Sequence, residues 1–279
     1  MTSSTPDALW SSAVIRYLQP AAVVCEQVRR RVGRTNLLDR VDLKVPVGGR
    51  LLLVANPESS GSLLLRVLAG LCRADGGRFQ LAGALSPDVS PIGWARRVAY
   101  VGPEAGLFAW MSADETLGLA ARLIGLERTD ARRLIAHAVE HWGLSVGHDR
   151  PMSRMGLAFM QRTAMASALL GDPEVVLLDE PLRALEPDER QRLLRLPGER
   201  RTVVLASRYP ASEAGLVDQV ALLQNGRVEL HARITALKEL GLPLSMRSIE
   251  RLAGMLAVRR EAARASAPNA KRAEGRASA

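Results

Sequence analysis

Two adjacent acids, Asp179 and Glu180, follow the apolar run Val175-Val176-Leu177-Leu178. Acids at the exit of a buried strand point into the crevice at the carboxyl edge of a sheet, where α/β folds bind ligands. Paired carboxylates there could face a bound ligand. A second segment frames the group they would act on. Residues 51 to 71 read LLLVANPESSGSLLLRVLAGL, an apolar strand, a short polar stretch and an apolar helix. This is the frame of a phosphate-binding loop, G-x-x-x-x-G-K-[ST], whose glycines let backbone N–H groups wrap phosphates and whose lysine reaches the β and γ oxygens. Counted back from the helix, the eight positions hold Ala55, Asn56, Pro57, Glu58, Ser59, Ser60, Gly61 and Ser62. Gly61 stands at the lysine position and Ser60 at that of the preceding glycine. Only Ser62 keeps the magnesium-ligating hydroxyl.

The missing lysine is a charge-assisted phosphate contact worth roughly 1.5–3 kcal/mol. No lysine lies between Lys44 and Lys238, so no neighbour supplies the charge, even in a register with the lysine deleted. Arg66, one turn beyond Ser62, is expected to face away from the phosphates. Glu58 adds a negative charge among them. Glu58, Ser59 and Ser60 resist left-handed backbone at roughly 1–2 kcal/mol each. The helix N-terminus still favours an anion. These residues predict weak nucleotide binding at most and inefficient hydrolysis.

The elements that would position this chemistry alternate between strands and helices. Short β-rich runs recur from Ala21 to Leu53, with Gly33, Pro46, Gly48 and Gly49 at turns. GGRFQLAG (76 to 83) reads as a hairpin arm, and RRVAYVG (96 to 102) as a buried strand. Apolar residues spaced by three and four predict two helices between Asp114 and Trp142. Another helix runs from Met155 to Leu170, ended by Gly171 and Pro173. EVVLLDEP and TVVLAS read as buried strands, and VALLQNGRVEL as two strands about an Asn225-Gly226 turn. The alternation implies a mostly parallel sheet. Residues 110 to 165 would form a helical lobe and residues 1 to 20 an extension. A C-terminal helix leads, after about Met255, into a low-complexity basic stretch that reads as disordered.

Composition narrows the function classes. The chain has 279 residues, of which 47% are hydrophobic and 4% aromatic, so its core is aliphatic. Its net charge of +9 admits a nucleic-acid or membrane-surface partner. The excess is arginine, much of it in the basic tail, which favours the plainer reading of solvated charge. Cys25 and Cys72 form no CxxC pair, which points to a reduced compartment without a metal site. No run approaches the ~18 apolar residues that span a bilayer, and no secretory signal is evident.

Five landmarks in order make residues 22 to 230 resemble the ATP-binding subunit of ABC transporters. They are the segment 55 to 62, a switch segment near Val101 to Leu117, a helix start at Met155, ALLGDPEVVLLDEP, and a strand ending at Arg208. The resemblance implies a P-loop NTPase fold of the α/β class, with a mixed-sheet core, an antiparallel β arm and a helical subdomain. In that family two subunits sandwich ATP and Mg²⁺, each site drawing a signature motif from the partner. On this reading Ser62 and Asp179 are the metal residues and Glu180 the catalytic glutamate.

Other family positions depart from the pattern. The switch glutamine falls on Pro103, which has no side-chain ligand; Glu104 is one residue off. The signature LSGGQ falls on Met155, Gly156, Leu157, Ala158 and Phe159, without its serine or glycines, so Phe159 reads as a core or interface residue. The switch histidine falls on Arg208, which can hold a phosphate but cannot act as a neutral imidazole. The D-loop aspartate falls on Glu186. The aromatic that stacks on adenine falls near Val32. The resemblance therefore implies a degenerate subunit, paired with a second ATP-binding chain and docked on a membrane permease at the inner face of the cell membrane. The rival readings are a divergent but working ATPase and a nucleic-acid-associated member of the fold. A single ATP-binding domain in the chain disfavours the latter.

Overall fold

The computed structural model describes residues 20–83, 87, 91–196 and 200–266. Six strands form the main sheet in the order β5-β6-β7-β3-β8-β9: β3 (Arg50–Asn56), β5 (Val98–Val101), β6 (Val175–Asp179), β7 (Thr202–Ala206), β8 (Gln219–Gln224) and β9 (Arg227–Arg233). All pair in parallel except β8 with β9. The Val- and Leu-rich β6 and β7 are buried at every position, as strands covered on both faces must be.

Side chains alternate between the faces with period two. Leu52, Val54, Val176 and Leu178 join a core on the helical side. Leu51, Leu53, Val175 and Leu177 join a second core with the antiparallel arm. That arm has the order β2-β1-β4, with β1 (Ala21–Val32), β2 (Thr35–Pro46) and β4 (Gly76–Leu81). GGRFQLAG is thus the outer strand of a three-stranded arm, paired with β1.

Helix α1 (Glu58–Leu68) lies against the arm-side core, where Leu64, Leu65, Val67 and Leu68 are buried. After α2 (Pro91–Arg97) come α3 (Ala113–Leu123), α4 (Arg128–His141) and α5 (Leu157–Leu169). A complete capping box fixes the start of α3: Ser112 Oγ accepts from the Glu115 N–H, and the Glu115 carboxylate accepts from the Ser112 N–H. The chain then forms α6 (Pro187–Leu194), α7 (Ile234–Glu239) and α8 (Met246–Ser266).

The Asn225-Gly226 turn is the two-residue type expected, with φ of 52° and 75°. Gly226 is required there. A Cβ would lie 2.9 Å from the Asp39 nitrogen, because the turn packs against the arm and the Asp39 N–H bonds to Gly226 O at 2.8 Å.

Two expectations need correction. Arg96 and Arg97 end α2 instead of opening a strand, so β5 is only four residues long. The chain does not lose structure near Met255. α8 continues through Ser266, anchored by buried Ile249, Leu252, Ala253 and Leu256, and its Ala- and Arg-rich sequence favours helix. The extension before Pro20 and the end of the basic tail lie outside the described residues. Among the described residues no helix is long and apolar enough to cross a membrane.

Candidate functional site

The segment expected to wrap phosphates does not form a loop. α1 starts at Glu58, with Pro57 at its N-cap, so residues 58 to 62 are its first turns. No residue from Ala55 to Ser62 has a positive φ. The reason is local. A phosphate cradle needs glycines in left-handed backbone, and this stretch has none before Gly61. Pro57 instead accepts both the N–H of Ser60 at 3.0 Å and its hydroxyl at 2.7 Å, closing a helical turn. Gly61, at the lysine position, is buried, and a Cβ there would meet the Ala55 Cβ at 3.0 Å. This glycine serves close packing of α1 on β3.

Beside this turn, Ser62 and Asp179, the two residues expected to hold a metal, meet. Ser62 Oγ donates to Asp179 Oδ1 at 3.0 Å, at the end of β6. Tyr100 donates to the other carboxylate oxygen at 3.3 Å. Asp179 is 1% exposed, so these two hydroxyls are its anchors. Tyr100 was not read from the sequence as a site residue; its position on β5, next to β6, places it there. Burial pushes the Tyr100 hydroxyl above its ordinary pKa. Arg66 interacts with the Tyr100 hydroxyl, which together with the nearby Asp179 charge raises the guanidinium's own pKa. Arg66 lines a neighbouring 490 Å³ groove with Pro103 and Glu104.

The opposite side of the pocket is an ion cluster. Glu180 has φ 49°, and its N–H bonds to Ala206 O at 3.0 Å. Its carboxylate accepts from the Arg208 N–H at 2.7 Å and lies 3.4 Å from Arg208 Nε. Arg208 Nη1 reaches Glu58 Oε2 at 3.5 Å. One guanidinium thus bridges the first residue of α1 and the acid after β6. Burial raises the Glu180 carboxyl above the usual range, and the Arg208 contacts oppose that shift.

The enclosed space is 250 Å³. Its charged lining is three carboxylates (Glu58, Asp179, Glu180) and two guanidiniums (Arg183, Arg208), and Pro103 and Met246 of α8 close two sides. Ser62 and Asp179 offer the hydroxyl and carboxylate oxygens that suit Mg²⁺. The rest of the lining does not suit a polyphosphate: it has no cradle, no lysine and a net negative charge. Among the described residues, no group of three His, Cys, Asp or Glu could hold a metal alone.

The signature positions are not brought to this pocket within the chain. Met155 and Gly156 lead into α5, with Gly156 as an N-cap that no side chain supports. Leu157 is exposed. Ala158 and Phe159 pack against the helical-side core. Glu186 is the N-cap residue of α6, and Val32 is half-exposed at the tip of the arm.

A parallel sheet with an antiparallel arm, a strand-to-helix corner at Ser62 and paired acids after β6 define an ATP-binding cassette fold. Comparison with known proteins agrees. Residues 38–183 match the family model for ABC transporters. The nickel import ATP-binding protein NikO of Rhodobacter capsulatus is 34% identical over 208 residues, covering 68% of this chain and 81% of that protein. The sulfate/thiosulfate import ATP-binding protein CysA of Mycobacterium tuberculosis is 30% identical over 214 residues, 75% of this chain. The match spans only 60% of that relative's length. A solved ATP-binding subunit of an ABC transporter superposes with a TM-score of 0.74 at 20% identity, covering 84% of this chain and 99% of that one. A dimeric ATP-binding cassette bound to ADP and Pi gives 0.67 at 19% identity, covering 76% and 98%. The chain belongs to the ABC transporter family, as an ATP-binding domain of that fold.

Proposed function

We propose that this chain is a degenerate ATP-binding subunit of an ABC transporter, with weak or no ATP hydrolysis of its own. It couples or scaffolds a membrane permease, pairs with a second ATP-binding subunit, and sits at the inner membrane face through the permease. The observation that carries this reading is the replacement of the phosphate cradle by the first turns of α1, with the Glu58–Arg208–Glu180 cluster beside it. Two carboxylates neutralise the one cation at the switch position, so little positive charge is left for phosphates. Pro103, which has no N–H and no side-chain ligand, stands where a metal-linking glutamine would be needed. The import relatives support a permease partner by analogy.

The second reading is a divergent ATPase, favoured by the Ser62–Asp179 pair. In that case Ser62 and Asp179 hold Mg²⁺ and Glu180 polarises water. Steady-state turnover with MgATP separates the two readings. The degenerate subunit shows no turnover above background. The divergent ATPase shows turnover that Glu180→Gln abolishes.

A further inference from the structure

A second cavity, at the tip of the antiparallel arm, has the opposite chemistry. It is an open groove of 580 Å³ lined by Arg29, Arg30 and Arg31 of β1, with Asp39 and Asp75. Both acids are already engaged. Asp75 accepts from Arg30 Nη1 at 2.6 Å and from the Arg31 N–H at 2.7 Å. Asp39 accepts from Arg227 Nε at 3.0 Å and Nη2 at 2.5 Å, and Arg40 lies 3.6 Å away. Five guanidiniums therefore meet two carboxylates. Arg29 makes no ion pair within 4 Å among the described residues, but beside the Arg227 hydrogen bond its charge acts on Asp39 and helps hold that carboxyl low. Arg31 spends its Nε on Gly33 O at 2.8 Å, which holds its guanidinium at the turn. Arg30 Nε is buried with no acceptor.

Position adds to this. β8 ends beside β3 at the register Gln224–Asn56, and its turn then packs Gly226 against Asp39. The arm cavity thus lies next to the carboxyl edge of the sheet. Its volume is within the range of small-molecule sites. Guanidiniums match phosphate oxygens as forked donors and stay charged at any physiological pH. No aromatic lines the cavity, so nothing stacks on a base.

We propose that the arm tip binds an oligophosphate chain, either inorganic or the phosphate chain of a nucleotide, with Arg29 and Arg31 as its principal ligands. The site goes beyond the functional reading above and stands or falls separately from it, because it requires neither Ser62 nor Asp179 and predicts no hydrolysis.

The test is calorimetry of the full chain at low salt, without Mg²⁺, using tripolyphosphate, ATP and adenosine as separate titrants. The site predicts that tripolyphosphate and ATP bind with similar affinity and that adenosine does not bind. Arg29→Ala combined with Arg31→Ala is expected to weaken both by at least about tenfold, the scale of one lost charge-assisted contact. A melting curve checks that this variant is folded. Arg128→Ala combined with Arg132→Ala, on exposed α4, controls for net charge and should weaken binding by less than about twofold. The proposal is overturned if tripolyphosphate does not bind, if the arm variant binds like the unaltered chain, or if Arg208→Ala abolishes binding instead. Adenosine competing with ATP would also overturn it, since a base would then be what is recognised.

Discussion

The two cavities near the carboxyl edge of this sheet differ in sign. At the phosphate-loop position, three carboxylates face two guanidiniums around 250 Å³. At the arm tip, arginines outnumber acids around 580 Å³. A fold that binds ATP needs positive charge at the first of these places, and here that place is balanced from within. The scaffold of the fold and the charge of its crevice are thus set by different residues. The Ser62–Asp179 bond joins α1 to the end of β6. The phosphate side is a helix turn beside an ion cluster of Glu58, Arg208 and Glu180.

The strongest way to break this contrast is to restore the lysine. Gly61→Lys is expected to destabilise the fold by about 1–2 kcal/mol, because overpacking against Ala55 outweighs the helix-propensity gain of about 1 kcal/mol. It should not produce ATP turnover. Denaturant unfolding and an ATPase assay measure both, and unchanged stability with new turnover would contradict the reading of Gly61 as a packing residue.

Removing the bridging cation should have a smaller effect. Arg208→Ala leaves half-buried Glu180 without its guanidinium, and with solvent screening the expected loss is about 1 kcal/mol. At this chain length that is a melting shift of about 2–4 °C. Arg208→Lys should recover part of it.

The pocket should also show in the pH dependence of stability. Burial raises the Glu180 carboxyl in the folded state, so over the window just above the usual glutamate range the folded protein binds a proton that the unfolded chain lacks. Stability from this group therefore falls as pH rises through that window. Glu180→Gln should remove that part of the slope, measured by unfolding across a pH series. An unaltered slope would place the carboxyl in a more solvated setting. Smallest of all, Glu58→Gln should change stability by less than about 0.5 kcal/mol, because its 3.5 Å contact with Arg208 is exposed. A larger loss would make Glu58 a structural partner of Arg208 and not only a charge in the pocket.

Much of the fold was legible because its signals are local. The apolar run Leu51 to Val54 and those before Asp179 and Ser207 set strand positions, and Asn225-Gly226 set a hairpin. The nearness of Ser62 to Asp179 was legible because one lies in the first turns of α1 after β3 and the other at the end of β6. The loop at 55 to 62 was read as a loop because its frame suggested one. Without glycines, the residues after Pro57 take the helical default. Tyr100, Met246 and the reach of Arg208 to Glu58 were not legible, since each contact joins residues far apart in the chain. The arm arginines were visible, but their clustering around one cavity depends on how β1, β2 and the β8–β9 turn meet.

The most direct test of the central claim is steady-state ATP turnover by the purified chain with Mg²⁺, beside its Glu180→Gln variant. The account predicts no turnover above background and no difference between the two proteins. Turnover on the order of one per second, lost in the variant, would contradict it.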